Sequence, residues 1–287
     1  MSFLKSIFRI LFFWRRKRAV VPVVRLSGVI ASSSQTRRGL SLEGVEPQLK
    51  KAFSVTGAKA VALIINSPGG SPVQSALIGQ RIRALAKKAD IPVLAFCEDV
   101  AASGGYWLAV SADEVYANAA SVIGSIGVVS AGFGFDRAIE KLGVDRRVYT
   151  AGKNKMILDP FAPEQGADVD RLKSLQSEIH QQFITHVVDR RGAKLKGEHD
   201  DLFNGAFWTG LAAVDLGLID GIADCRALVT ERFGENVDLM MIMPKKKLFA
   251  GFDGIPGMRS GGGLAGNLVD EVVDVAVERA FLARFGL

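Results

Sequence analysis

The 287-residue chain has little cysteine, little histidine and no long apolar run. Its two cysteines, Cys97 and Cys225, are far apart and fit no zinc-ligand or Cys-x-x-Cys spacing. That argues against a disulfide scaffold and against a structural zinc module. Cys97 lies in an apolar run and reads as a small buried hydrophobe. The three histidines are His180, His186 and His199. The first two fall inside a long helical pattern and the third in a polar segment, so all three read as solvated or partly packed. None sits in a glycine-bearing turn beside a strand end, which leaves a Ser-His-Asp triad with little support. No stretch approaches the ~20 apolar residues of a membrane span. No internal repeat is present.

What is present is an ordinary globular balance, 48% hydrophobic and 23% charged, which excludes a wholly disordered chain. The length allows one large domain or two small ones. The net charge of +6 is concentrated in Arg15-Arg16-Lys17-Arg18 and Lys245-Lys246-Lys247. Without an aromatic-studded basic stripe, this pattern does not predict a nucleic-acid partner. The opening residues, MSFLKSIFRILFFW, place Ser2, Lys5, Ser6 and Arg9 on one helical face. Phe3, Leu4, Ile7, Phe8, Leu11 and Trp14 fall on the other. That is the pattern of an amphipathic helix lying in a membrane interface. The basic run behind it adds attraction to anionic lipid, about 1 kcal/mol per charge. A signal peptide is the rival reading, but the heaviest charge follows the apolar stretch and no clear cleavage site appears. Basic residues resist translocation, so the sequence favours peripheral or monotopic attachment to the cytoplasmic face of a bacterial inner membrane. The alternative is a signal anchor with the following domain in the periplasm.

Beyond this segment, residues 20–25, 60–66, 91–97, 114–118, 126–129, 147–149 and 218–222 read as strands. Helical patterns cover 45–55, 71–88, the residues after Ser103, 136–142, the stretch from Pro163 to about Arg190, 209–217 and 224–233. Continuous apolar strands alternating with helices predict an α/β fold with a largely parallel sheet. The expected organisation is an anchor over 1–19, a domain over 20–235, a Gly/Lys-rich linker over 236–266 and an amphipathic helix over 267–287. That last helix suits docking to a partner, a second protomer or a membrane.

Two segments share one design, a buried strand, a tight glycine turn and a helix start. They are Asn66-Ser67-Pro68-Gly69-Gly70 and Ala101-Ala102-Ser103-Gly104-Gly105. Side by side, such turns aim two backbone N–H groups at one oxygen, forming an oxyanion hole. Ser103 then stands where a nucleophile would, although serine at a helix start is more often a simple N-cap. A lysine can act as base to a serine when it reaches the hydroxyl neutral. Lys153 and Lys155, in Gly152-Lys-Asn-Lys-Met156, both offer that chemistry, and their spacing does not choose between them.

These motifs resemble the signal peptide peptidase A (SppA) group of serine peptidases, including its short-form and SohB-like members. The resemblance spans about residues 20–235. It rests on Asn66-Ser-Pro-Gly-Gly70, Ala102-Ser-Gly-Gly-Tyr106, Gly124-Ser-Ile-Gly-Val128, Gly152-Lys-Asn-Lys155 and Phe207-Trp-Thr-Gly210 with Gly217-Leu-Ile-Asp220. It implies a ClpP/crotonase-like fold with flanking helices and a Ser–Lys dyad, without cofactor or metal. Ser103 would be the nucleophile, Lys155 the base, Ser125 the residue orienting the lysine amine, and the N–H groups of Gly70 and Gly104 the oxyanion donors. It further implies peptide substrates and a homo-oligomer whose dyad joins neighbouring subunits. Two departures stand out. The turn often has a third glycine where Ser71 stands here, and family members usually carry a full membrane span or signal anchor. Read from sequence, the chain is a membrane-associated serine endopeptidase acting on signal peptides or other apolar segments. The alternatives are a non-catalytic membrane scaffold of the same fold and, further off, an acyl-CoA-handling crotonase-type enzyme.

Overall fold

The computed structural model describes residues 18–32, 39–244, 279–280 and 282–286. The expected membrane anchor lies almost wholly outside these residues, as do most of the linker and most of the C-terminal helix.

In chain order the elements are β1 (Val20–Ser27), α1 (Leu42–Phe53), β2 (Val61–Ser67), α2 (Pro72–Ala89), β3 (Val93–Ala102) and α3 (Gly104–Val110). There follow β4 (Glu114–Ala117), β5 (Val122–Gly124), α4 (Asp136–Lys141) and the long α5 (Gly166–Arg191). After a 3-10 turn at Gly192–Lys194 come α6 (His199–Leu202), β6 (Phe207–Thr209), α7 (Gly210–Asp215), β7 (Gly221–Ile222), α8 (Cys225–Phe233) and β8 (Asp238–Met241). The strands form one sheet in the order β6-β5-β3-β2-β1-β8, with β4 beside β3 and β7 beside β4. All pairings are parallel except that of β5 with β6.

The central strands are apolar on both faces because both faces are covered. On one side Leu63 and Ile65 pack with Leu49, Ile78, Ile82, Leu108 and Val187, carried by α1, α2, α3 and α5. On the other, Val23, Ile64, Leu94 and Phe96 pack with Val229 of α8. At about 25 cal/mol per Å2, burying such side chains is the main force holding the layers together.

One irregularity positions the site. The pairing of β2 with β3 runs regularly to Ile65↔Cys97 and resumes at Ser67↔Ala101, so β3 carries two extra residues. The Asn66 side chain fills the gap. Its Nδ2 donates to Asp99 at 2.7 Å and its Oδ1 accepts from the Val100 N–H at 3.2 Å. Glu98 turns outward into a two-bond pair with Arg25. The bulge lets β3 fork, pairing with β4 before it and with β5 after it. Bulges redirect strands in this way beside functional sites.

Three sequence expectations differ from the structure. Residues 126–129 are not a strand. The strand is β5, which begins four residues earlier, and it stops where Gly124 and Ser125 take φ values of 109° and 53°. Residues 147–149 are not a strand either. They lie exposed on an arm, without a neighbouring strand to supply a ladder. The linker expected from residue 236 contains β8, which pairs with β1 from Val20↔Asp238 to Val23↔Met241, so the domain extends to the buried Ile242.

Candidate active site

The two glycine turns meet at the ends of β2 and β3. Ile30 donates to the Gly69 carbonyl at 2.8 Å and accepts from the Ser71 N–H at 2.7 Å. This parallel bridge leaves the N–H of Gly70 directed away from Ile30. Gly104 is the first residue of α3, where N–H groups have no partner within the helix. The turns touch through Gly69, which has φ +101°. A Cβ there would lie 2.8 Å from both the Gly104 nitrogen and the Ser103 Cβ. Only glycine permits that approach.

Ser103 occupies the N-cap position of α3 but makes no capping hydrogen bond. Its backbone sits at φ 52°, ψ −123°. Holding a non-glycine residue there costs about 1–3 kcal/mol. The serine, threonine and aspartate N-caps of four other helices behave differently. Ser41, Ser71, Thr209 and Asp224 each accept from a backbone N–H of their own helix. Ser103 is thus strained into an elbow that directs its hydroxyl away from its own helix, and the plain N-cap reading fails. Ser71, standing where a third glycine was expected, caps α2 through the Gln74 N–H and needs no positive φ.

Ser125 follows directly. The Ser103 N–H donates to the Gly124 carbonyl at 2.8 Å, and the Ser125 N–H donates to Ala206 at 2.7 Å. Ser125 and Ser103 line one cavity of about 420 Å3, together with Gly70, His180, Asn204 and Arg284. That volume is typical of ligand sites. A smaller recess opens from Ser103 and contains Gly104 and Gly70. The structure therefore brings together four of the five residues singled out in the sequence. Lys155 is exposed, lies in the turns of residues 151–158, and does not line the cavity. Lys153 is exposed on the same stretch.

Among the cavity residues that were not expected there, His180 has a definite role. The His180 Nε2 lies 3.0 Å from the Ile126 carbonyl and so donates to it, bracing the turn that carries Ser125. A signal was present in the sequence. His180 shares a helical stripe with the buried Phe183, Ile184 and Val187. His186, expected to be solvated or partly packed, stacks on Trp107. Burial holds its pKa below the usual histidine value. Burial also pushes the Cys97 thiol up to about 12, as befits a packed hydrophobe. Among the described residues no cluster of three or more metal-ligating side chains occurs.

A mostly parallel α/β sheet with a strained serine between strand and helix, beside a second glycine turn, defines a ClpP-like fold. A solved structure of a mutant of the 1510-N membrane-bound stomatin-specific protease shares the fold. Its TM-score is 0.51 at 15% identity, covering 79% of this chain and 99% of that one. A model of peptidase family S49 matches residues 85–236, more than half of the chain. The chain belongs to this family and within it is SppA/SohB-like. The serine protease SPPA, chloroplastic, of Arabidopsis thaliana is 30% identical over 259 residues, covering 85% of this chain and 36% of that protein. A Brucella abortus (strain 2308) protein named Na(+)/H(+) antiporter NhaA is 51% identical over 283 residues, covering 95% of this chain and 38% of that protein. The chain thus spans well under half the length of these relatives. Among the described residues, no helix is long and apolar enough to cross a membrane.

Proposed function

We propose that the chain is a membrane-associated serine endopeptidase using a Ser103–Lys155 dyad, with Lys155 supplied by a neighbouring copy. One observation carries the reading. Ser103 is strained, uncapping, and faces a cavity with Gly70 and Ser125. In the reaction the Ser103 Oγ attacks the peptide carbonyl while the Lys155 Nζ takes its proton. The N–H groups of Gly70 and Gly104 receive the developing oxyanion. Collapse breaks the C–N bond, and the proton passes from Lys155 to the leaving amine. Water, activated by the same lysine, then releases the acyl group from Ser103. Ser125 orients the lysine amine.

Sharing between copies is supported by the arm that carries Lys155. Between residues 129 and 156 it exposes Val129, Phe133, Leu142, Val144 and Tyr149, and α4 within it buries nothing. The arm has internal order. Phe135 packs at a tilt against Phe161, and Arg146 pairs with Asp159. Exposed apolar surface on an ordered arm suits burial against a second copy. The amphipathic pattern of residues 1–19 is the support for membrane attachment, on the cytoplasmic face of a bacterial inner membrane. Apolar peptides such as remnant signal peptides are the substrates that such a location suits.

The test is cleavage of a fluorogenic peptide with an apolar residue before the scissile bond, measured across pH. The protein would lack its first 18 residues and be compared with Ser103→Ala, Lys155→Ala and Lys153→Ala. Loss in the first two and retention in the third is expected, with activity rising toward alkaline pH because the base acts neutral. An assembled but inactive wild type would favour the scaffold reading. A profile peaking below neutrality would rule out a lysine base.

A further inference from the structure

The two glycine turns belong to different strands, and their offset is set by the bulge between β2 and β3. Against the single residue Asn66, β3 presents Glu98, Asp99 and Val100. In a regular pairing Ser67 would stand opposite Asp99. The Ser103 turn would then lie two residues, about 6.6 Å, further along relative to the Gly69-Gly70 turn. A shift of two keeps every side chain on its own face of the sheet, so the alternation of faces alone does not hold the register.

The close approaches at the site depend on this offset. A Cβ on Gly69 would lie 2.8 Å from the Gly104 nitrogen and 2.9 Å from the Ala102 carbonyl oxygen. One on Gly105 would lie 2.2 Å from the Ser67 carbonyl oxygen. The turns thus meet at two glycines, and neither contact survives a two-residue shift. Asn66 supplies the missing constraint. Its carbonyl accepts from the Gly28 N–H at 3.0 Å, in register with β1, so its side chain leaves from a fixed strand. That side chain spans the bulge. The Nδ2 donates to Asp99 at 2.7 Å, and the Oδ1 accepts at 3.2 Å from the N–H of Val100, where pairing with β5 begins. An amide carries the donor and the acceptor that these two bonds need, whereas an ionised carboxylate offers no donor. Glu98, also in the bulge, is tied to Arg25 of β1.

Resting on the reading of Ser103 as the acylating serine, we propose that Asn66, braced by Asp99, is a positioning residue for the reaction. It fixes the offset between the two turns, and hence where the Ser103 hydroxyl stands relative to the N–H groups of Gly70 and Gly104. Neither Asn66 nor Asp99 lines the cavity, so both act through the strands that carry the turns. Nucleophile and oxyanion donors must be aligned in the transition state, where a misplacement of about 1 Å costs about 100-fold. The loss should fall on kcat more than on KM.

The experiment measures kcat and KM for peptide cleavage by the full chain and its variants, with urea midpoints alongside. Asn66→Asp removes the donor and sets two carboxylates against each other, so kcat should fall by about 100-fold. Asp99→Asn alone should keep most of the activity, because its amide oxygen still accepts from Asn66. Asn66→Asp combined with Asp99→Asn restores both bonds with donor and acceptor exchanged, and should regain at least about 10-fold. Ile82→Val, a core truncation on α2 about three turns from Ser71, should lower the urea midpoint and leave kcat unchanged. Asp99 is exposed, so Asp99→Ala leaves the fold intact and decides the matter if Asn66→Asp does not fold. It should lower kcat by about 10-fold, the bond to Val100 remaining. A wild-type kcat in Asn66→Asp or in Asp99→Ala, or a paired variant no better than Asn66→Asp, overturns the positioning role and leaves the peptidase reading standing. Absence of cleavage by wild type overturns both.

Discussion

If Ser103 of one copy works with Lys155 of another, two dead proteins can make a live one. Ser103→Ala keeps its lysine and Lys155→Ala keeps its serine. In a 1:1 mixture of exchanged subunits, a working site needs its serine from the second variant and its lysine from the first. Each is drawn with probability one half, so about a quarter of the sites are intact, whatever the number of subunits in a closed assembly. The structure sets up this expectation. Lys155 is exposed on an arm whose large apolar side chains are uncovered, with Tyr149 90% and Phe133 81% exposed. The cavity holding Ser103 is lined by residues of its own chain, and Lys155 is not among them. The assay is peptide cleavage after co-refolding or co-expression of the two variants, scaled to wild type treated in the same way. Recovery of about 25% is expected. Absence of recovery, with subunit exchange verified by differently tagged copies, would refute a shared dyad.

Further expectations concern the elements around the site. Gly69→Ala places a Cβ against the Gly104 nitrogen and Ser103 Cβ at φ +101°. It should cost about 2 kcal/mol or more in denaturant unfolding and reduce labelling of Ser103 by a fluorophosphonate. His180→Ala removes the donor to the Ile126 carbonyl, costing about 1 kcal/mol and lowering kcat, while His180→Gln should retain part of both. Arg191 is buried and donates to Gly217 and Asp220. Arg191→Met should therefore cost about 3 kcal/mol, read from urea midpoints. Burial raises the Asp220 carboxyl, but hydrogen bonds from Arg191, Lys194 and the Val115 N–H outweigh it and hold its pKa below the ordinary value. With the folded pKa below the unfolded one, this group stabilises the fold above about pH 4 and loses that contribution as pH falls through the folded pKa. Asp220→Asn should accordingly flatten the acid limb of a Tm-versus-pH curve, and an unchanged limb would show that Asp220 is not its source.

The parallel sheet was legible in the sequence because its middle strands carry their evidence locally. Val61–Ile65 and Val93–Cys97 are continuous apolar runs, and such runs are stable only when covered on both faces. The edges were not legible. β6 is three residues of mostly exposed side chains, and β8 has no β-branched residue. Both are strands only because β5 and β1 offer them a ladder. Arg147-Val148-Tyr149 shows the converse, good strand residues left without a neighbour. Local preference is weaker than the presence of a partner edge.

The site divides along the same line. Gly70, Ser103 and Gly104 were readable because they sit in glycine turns whose glycines answer backbone needs, either positive φ or close approach, whereas Ser125 was named only through the family resemblance. Such needs leave a mark at the residue itself. His180 lacks one, since its place depends on how α5 is rotated against the ends of the strands, which no local rule fixes. Only its position on the stripe of Phe183, Ile184 and Val187 ties it to the core, and that stripe shows burial without showing what lies beneath. Lys155 is a third case. Its surroundings within one chain are solvent, and in the proposed assembly the surface that receives it belongs to the next copy. A residue whose environment is another molecule leaves no trace in its own segment beyond the apolar side chains stranded beside it. The exposed apolar arm, more than the lysine, is therefore the part of this chain that points to assembly.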